Sequence, residues 1–219
     1  MNVLIISAHP DDMEIGMGGT VARLASAGDK ITSVVLTDGR RSQNPFGLEP
    51  GSLANVRKEE AKKAASILGI QEVLFCDLPD LKSTENYQVA MERMEQIIAT
   101  TGAEEVYILH PELDRHVSHQ LAGRVVLDAL RKLKRFSTNV WAYEVWGLFN
   151  RWDRFEDISG FVGKKLQAIQ EHRSQVACVP YAEGVIGLNR WHAVFADPQQ
   201  DLLRAAFAEV FLRCSVPED

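Results

Sequence analysis

Imidazoles and carboxylates crowd two short stretches of this chain. The first is Ser7-Ala8-His9-Pro10-Asp11-Asp12-Met13-Glu14, directly after the apolar run Val3-Leu4-Ile5-Ile6. A hydrolytic metal site needs such groups, and a packed core does not. The second holds Asp114, His116 and His119. A helix beginning near Val117 puts His116 and His119, three residues apart, on neighbouring faces that point to one centre. His9, Asp12 and His119 then make a set of two nitrogens and one carboxylate. Catalytic zinc takes three protein ligands of this kind and leaves a position for water. Asp11 is the remaining carboxylate, placed to take a proton from that water. His116, as a cation, is placed to stabilise charge developing on a carbonyl oxygen. Alone, a His-Pro at a strand end is usually a turn and an Asp-Asp pair usually a helix cap. Their conjunction with a second histidine pair points to a shared metal site.

These groups need elements to hold them. Period and stop signals predict strands at 2–7, 31–36, 73–76 and 106–109, and helices at 18–27, 53–68, 87–100 and about 118–134. This β-α alternation implies an α/β fold, Rossmann-like, with a mostly parallel sheet covered by helices on both faces. The last third is less regular: a strand over 140–145, a helix over 159–172 and a final helix over 202–213 are expected. The polar groups fall after successive strands: His9, Asp11 and Asp12; Thr37, Asp38 and Arg40; Asp77 and Asp80; His110, Asp114, Arg115, His116 and His119. In a parallel sheet these strand ends share one edge. Gly16, Gly18 and Gly19 lack the spacing of a dinucleotide fingerprint and read as backbone shaping around the metal loop. Residues 38–52, rich in Gly, Pro, Asn and Ser, are the longest loop-like stretch, of a length more often functional than idle, and could serve as a lid.

Bulk properties narrow the class. A chain of 219 residues, 46 % apolar and 25 % charged, suits one domain spanning 1–219. A net charge of −6 argues against nucleic acid as a partner. The basic run Arg131-Lys132-Leu133-Lys134-Arg135 reads as a solvated helix end. No apolar run reaches the length of a membrane span, and the N-terminus lacks a signal-peptide pattern. Cys76, Cys178 and Cys214 show no metal or disulfide spacing. A cytoplasmic enzyme is the simplest expectation.

Residues 8–20, AHPDDMEIGMGGT, resemble the signature of the PIG-L/LmbE-like N-acetylglucosaminyl deacetylases, and residues 114–119, DRHVSH, resemble their second motif. Further resemblance runs through Leu36-Thr37-Asp38-Gly39, Arg57-Lys58-Glu59-Glu60, Leu78-Pro79-Asp80, His172-Arg173-Ser174-Gln175 and Phe207-Ala208-Glu209-Val210-Phe211. The resemblance implies zinc-dependent hydrolysis of the acetamide on a small-molecule amino sugar or its conjugate, with one zinc per chain. It implies metal ligands at His9, Asp12 and His119, a general base at Asp11 and charge stabilisation by His116. It also implies substrate contacts at Arg57 and Asp80. Ser118 stands where the family's second motif commonly has an aspartate, so a carboxylate that would orient the metal histidine is expected to be missing.

Two other readings use the same pocket. A two-metal phosphoesterase would draw extra ligands from Asp11, Asp38, Asp80 and Asp114. A non-catalytic metal- or sugar-binding module would bind without turnover. Arg40, Arg41 and Arg57 point to an anionic group near the 38–52 loop. Trp141, Tyr143, Trp146, Phe149 and Trp152 offer either a sugar-stacking wall or the interface of a homo-oligomer.

Overall fold

The computed structural model describes residues 1–135, 137–195 and 205–217. Its strands are β1 (Asn2–Ser7), β2 (Lys30–Thr37), β3 (Glu72–Leu78), β4 (Glu105–Leu109), β5 (Asn139–Tyr143), β6 (Arg154–Asp157) and β7 (Ala208–Cys214). Its helices are α1 (Asp12–Ser26), α2 (Pro50–Leu68), α3 (Thr84–Thr101), α4 (Val117–Lys132), α5 (Val162–Glu171), the short α6 (Arg173–Val176) and α7 (Tyr181–Phe195). One seven-stranded sheet runs in the order β3-β2-β1-β4-β5-β7-β6. The strands β1 to β5 pair in parallel, and β7 is antiparallel to both β5 and β6. The expected α/β class and mostly parallel sheet are therefore present.

The unbroken run Val3-Leu4-Ile5-Ile6 is buried throughout because β1 lies inside the sheet with layers on both faces. From β1 the chain moves outward through β2 to β3, then returns to β4 on the other side of β1. Right-handed crossovers put α1 and α2 on one face and α3 and α4 on the other. Accordingly α1, α2 and α5 pack together, and α3 packs on α4. The reversal of direction opens a crevice at the carboxyl ends of β1 and β4, where open α/β sheets bind ligands.

The glycines after the first motif have a different role from the one expected. They lie inside α1, where they let the helix press onto its neighbours. A Cβ on Gly16 would lie 2.4 Å from Cδ2 of Tyr143, and one on Gly19 2.6 Å from Cδ1 of Ile158. The helix is also kinked, with Met17 at φ −140°. The kink frees backbone N–H groups, and the buried Glu209 carboxylate accepts from Gly19 (3.0 Å) and Thr20 (2.7 Å). Lys165, fully buried on α5, neutralises that carboxylate at 2.6 Å.

The C-terminal expectation was wrong in part. Residues 208–214 are strand β7, not helix, and 202–204 of the expected 202–213 helix lie outside the described residues. Helix α7 and the short edge strand β6 were not anticipated. All three cysteines are free.

Candidate metal centre and active site

The exit from β1 is fixed before it reaches the motif. Thr37, at the end of β2, donates both its N–H (2.9 Å) and its hydroxyl (2.7 Å) to the carbonyl of Ala8. Asp11 then takes a φ of 119°, in the left-handed region where a side chain is strained. Arg57 holds this turn. Its guanidinium donates to the carbonyls of Pro10 and Gly39 and lies 3.1 Å from Asp11 Oδ2. The turn points Asp12 back, so that its Oδ2 accepts the His9 N–H at 2.7 Å.

The second strand end folds over the first. After β4, Asp114 accepts the His116 N–H on Oδ1 (2.7 Å), while its Oδ2 meets His119 Nδ1 (3.1 Å) and the Trp146 N–H (3.3 Å). A carboxylate at Nδ1 fixes that proton and leaves Nε2 of His119 with its lone pair outward. This Nε2 lies 3.1 Å from His9 Nδ1 and 3.1 Å from Asp12 Oδ1, and His9 Nδ1 lies 3.5 Å from Asp12 Oδ2. One ring nitrogen from each of His9, His116 and His119 falls within 4.8 Å of the other two.

This cluster fits a divalent cation. Two ring nitrogens and a carboxylate lie next to one another. Zinc bonds of 2.0–2.1 Å in a tetrahedron imply ligand atoms about 3.3 Å apart, and His119 Nε2 lies 3.1 Å from both His9 Nδ1 and Asp12 Oδ1. The donor set also suits a borderline metal better than magnesium or calcium, which prefer oxygen.

Electrostatics follow from the packing. Burial works against the His119 cation, but the Asp12 and Asp114 carboxylates outweigh it and lift its pKa to about 10. Burial likewise disfavours the Asp12 anion, yet His119 and His9 hold that carboxyl well below the usual range. Asp11 is raised, because burial outweighs the opposing pull of Arg57. His116 is lowered by partial burial and by the neighbouring His9 and His119. The imidazole is therefore neutral near pH 7, which corrects the expectation that it stands as a cation.

The structure thus brings together His9, Asp11, Asp12, His116 and His119. Arg57 is also at the site, but it is buried behind Asp11 and grips the turn, so it presents no free face to a substrate. Asp80 lies apart from this cluster of contacts: it pairs with Arg41 at 3.0 Å and accepts the backbone N–H groups of Lys82 and Ser83. Arg40 folds back onto Asp38. Each of the three arginines expected to attract an anion is therefore matched to a carboxylate of this chain. These pairings engage Asp11, Asp38 and Asp80, and His119 engages Asp114, so all four carboxylates that a second metal would have required already have partners. His110 is a turn former, its Nδ1 accepting from Glu112 and Leu113.

Several site residues escaped the sequence reading. Asp114 supplies the orienting carboxylate that Ser118 was expected to lack. The signal was the spacing of Asp114 ahead of His116 and His119 within one motif. Behind Asp11, the buried His172 lies 3.5 Å from the buried Glu14, and Ser174 ties α6 to Glu60 of α2 through two hydrogen bonds. Beside the cluster, a cavity of about 320 Å³ opens between the segment after β5, residues 179–181 and α7. Of the aromatic residues singled out in the sequence, Trp146 lines it.

The chain is similar to known proteins in sequence and in fold. The diacetylchitobiose deacetylase of Thermococcus kodakarensis is 28 % identical over 188 residues, covering 79 % of this chain and 69 % of that protein. The structure of N,N'-diacetylchitobiose deacetylase from Pyrococcus horikoshii superposes with a TM-score of 0.81 at 22 % identity, covering 97 % of this chain and 83 % of that one. The 4-carboxy-2-hydroxymuconate hydratase GalB from Pseudomonas putida KT2440 superposes with a TM-score of 0.82 at 22 % identity, covering 100 % and 99 % of the two chains. Residues 4–130, more than half of the chain and inclusive of both histidine-bearing strand ends, match the family described as PIG-L: GlcNAc-PI de-N-acetylase, and the chain belongs to that family.

Proposed function

We propose that this protein is a zinc-dependent deacetylase that hydrolyses the acetamide of an N-acetylated amino sugar or its conjugate. The observation that carries this reading is the approach of His119 Nε2 to within 3.1 Å of both His9 Nδ1 and Asp12 Oδ1, across two strand ends, the first of which also carries Asp11. His9, Asp12 and His119 would hold the cation, which when bound polarises an amide carbonyl and lowers the pKa of water. Asp11 takes the proton from the attacking water. Its raised affinity for protons makes it a stronger base than an exposed aspartate. Arg57 keeps that carboxylate in register with the attack. His116, neutral and at the rim, donates an N–H to the oxygen as negative charge develops there. The water oxygen bonds to the carbonyl carbon, the C–N bond breaks, and acetate and the free amine result. The proton held by Asp11 passes to the departing nitrogen.

Acetate release should be screened over N-acetyl sugars and their conjugates, with metal content measured on the same sample. The expected result is acetate from at least one glycoside and one divalent ion per chain. A metal-loaded protein that releases no acetate from any of them contradicts the reading. Two ions per chain with hydrolysis of a phosphate ester would favour the phosphoesterase instead.

A further inference from the structure

We infer that the 320 Å³ cavity beside the metal-ligand cluster binds an uncharged, apolar aglycone of the amino sugar, a bicyclic aromatic or a chain of similar bulk. The inference rests on the deacetylase reading and narrows its substrate. Trp146, Leu148, Val179, Tyr181, Val185 and Leu188 contribute apolar side chains to the wall. The cavity borders segments that adjoin the centre. The Trp146 N–H donates to Asp114, the carboxylate that holds His119. Ile15 and Gly16, which also line it, follow Asp12 in the first turns of α1.

Size and chemistry select the occupant. An apolar cavity of about 150 Å³ accepts a benzene ring, and this one has roughly twice that volume. An acetyl group is far too small to fill it. A second sugar would press hydroxyls against Val, Leu and Trp side chains and leave them without partners. A carboxylated aglycone fares worse, because no cation among the described residues lines the cavity. Its ionisable groups are already matched: Glu144 with His192 at 2.7 Å and with the Phe149 N–H, and Glu209 with Lys165. Oδ1 of Asn189, another cavity-lining residue, is a buried acceptor without a partner among the described residues and adds no attraction for an anion.

Gly184 provides the probe. It lines the cavity, and a Cβ built there meets nothing within 4 Å, so Gly184→Phe fills the space without a clash at its first atom. The test compares kcat/KM for acetate release from the 2-naphthyl, methyl and 6-carboxy-2-naphthyl glycosides of N-acetylglucosamine. The naphthyl glycoside should exceed the methyl one at least tenfold, mainly through KM, and the carboxylated one should lose that gain. In Gly184→Phe the naphthyl-to-methyl ratio should fall towards one. Equal rates in the wild type, a preference for the carboxylate, or an unchanged ratio in the variant overturns the inference. So does faster cleavage of the methyl glycoside carrying an N-octanoyl group, which would assign the cavity to the acyl chain. If no glycoside is cleaved, the deacetylase reading falls, and 2-naphthol binding by fluorescence judges the cavity separately. Binding by the wild type but not by Gly184→Phe supports an apolar ligand site, and no binding by the wild type removes it.

Discussion

Asp114 decides how His119 presents itself. With one oxygen on the His116 backbone and the other on His119 Nδ1, it fixes both the tautomer and the ring plane. Outer carboxylates of this kind are worth about 10- to 100-fold in metal affinity. Asp114→Asn should therefore weaken binding by that factor in a competition titration against a chromogenic chelator, while Ser118→Ala should leave it nearly unchanged. Equal affinities for the wild type and Asp114→Asn would mean that the orientation of His119 has another source. The proton on His119 makes a second prediction. In the metal-free protein its pKa is about 10, above the reference value of 6.5. A proton held more tightly in the fold stabilises the metal-free protein fully below pH 6.5, and this contribution is lost as pH rises through about 10. A metal must displace that proton, so apparent affinity should climb up to tenfold per pH unit between pH 7 and 9. A flat profile there would show that His119 carries no proton for the metal to displace. His9, Asp12 and His119 were legible because residue types and short spacings carry them. Arg57 was legible as a site residue but not in its role. It occupies the buried stripe of α2 with Leu53, Glu60, Ala61 and Ala64, and a charge in a buried stripe signals an internal partner.

At the scale of elements, α1 depends on a residue far along the chain. The kink at Met17 leaves N–H groups that Glu209 of β7 satisfies, and Glu209 in turn keeps Lys165 paired. Removing one partner of a buried ion pair costs about 3–5 kcal/mol because the other is left charged in an apolar place. Glu209→Ala should therefore lower stability by about that amount in urea unfolding, visible as a lower midpoint with little change in slope. A loss below about 1 kcal/mol would mean that water reaches Lys165 or that it gives up its proton without cost. The first two-thirds of the fold was legible because each strand is an apolar run and each helix is closed by a polar or glycine signal. The last third was not. The strand β7 carries Glu209 and Arg213 among apolar residues, and a pattern of that kind fits a helix as well as a strand. What settles it as a strand is pairing with β5 and β6, which are distant in sequence.

For the whole molecule, the strand order matters more than any one contact. Because β1 and β4 are neighbours, motifs about a hundred residues apart meet at one crevice. That much follows from alternating strands and helices. The chemistry does not follow from the fold, since a deacetylase and a hydratase both superpose on this chain. The side chains in the crevice must decide it, and the account divides their labour sharply. We propose that His9, Asp12 and His119 bind the metal and that Asp11 moves the proton. The most direct test measures metal content and acetate release together, on a glycoside that the wild type cleaves, for Asp11→Asn and His119→Ala. Asp11→Asn should keep its metal and lose acetate release by at least a hundredfold, within the usual range for a general base, whereas His119→Ala should lose both. Full activity in Asp11→Asn, or metal retained at wild-type affinity in His119→Ala, would contradict the account.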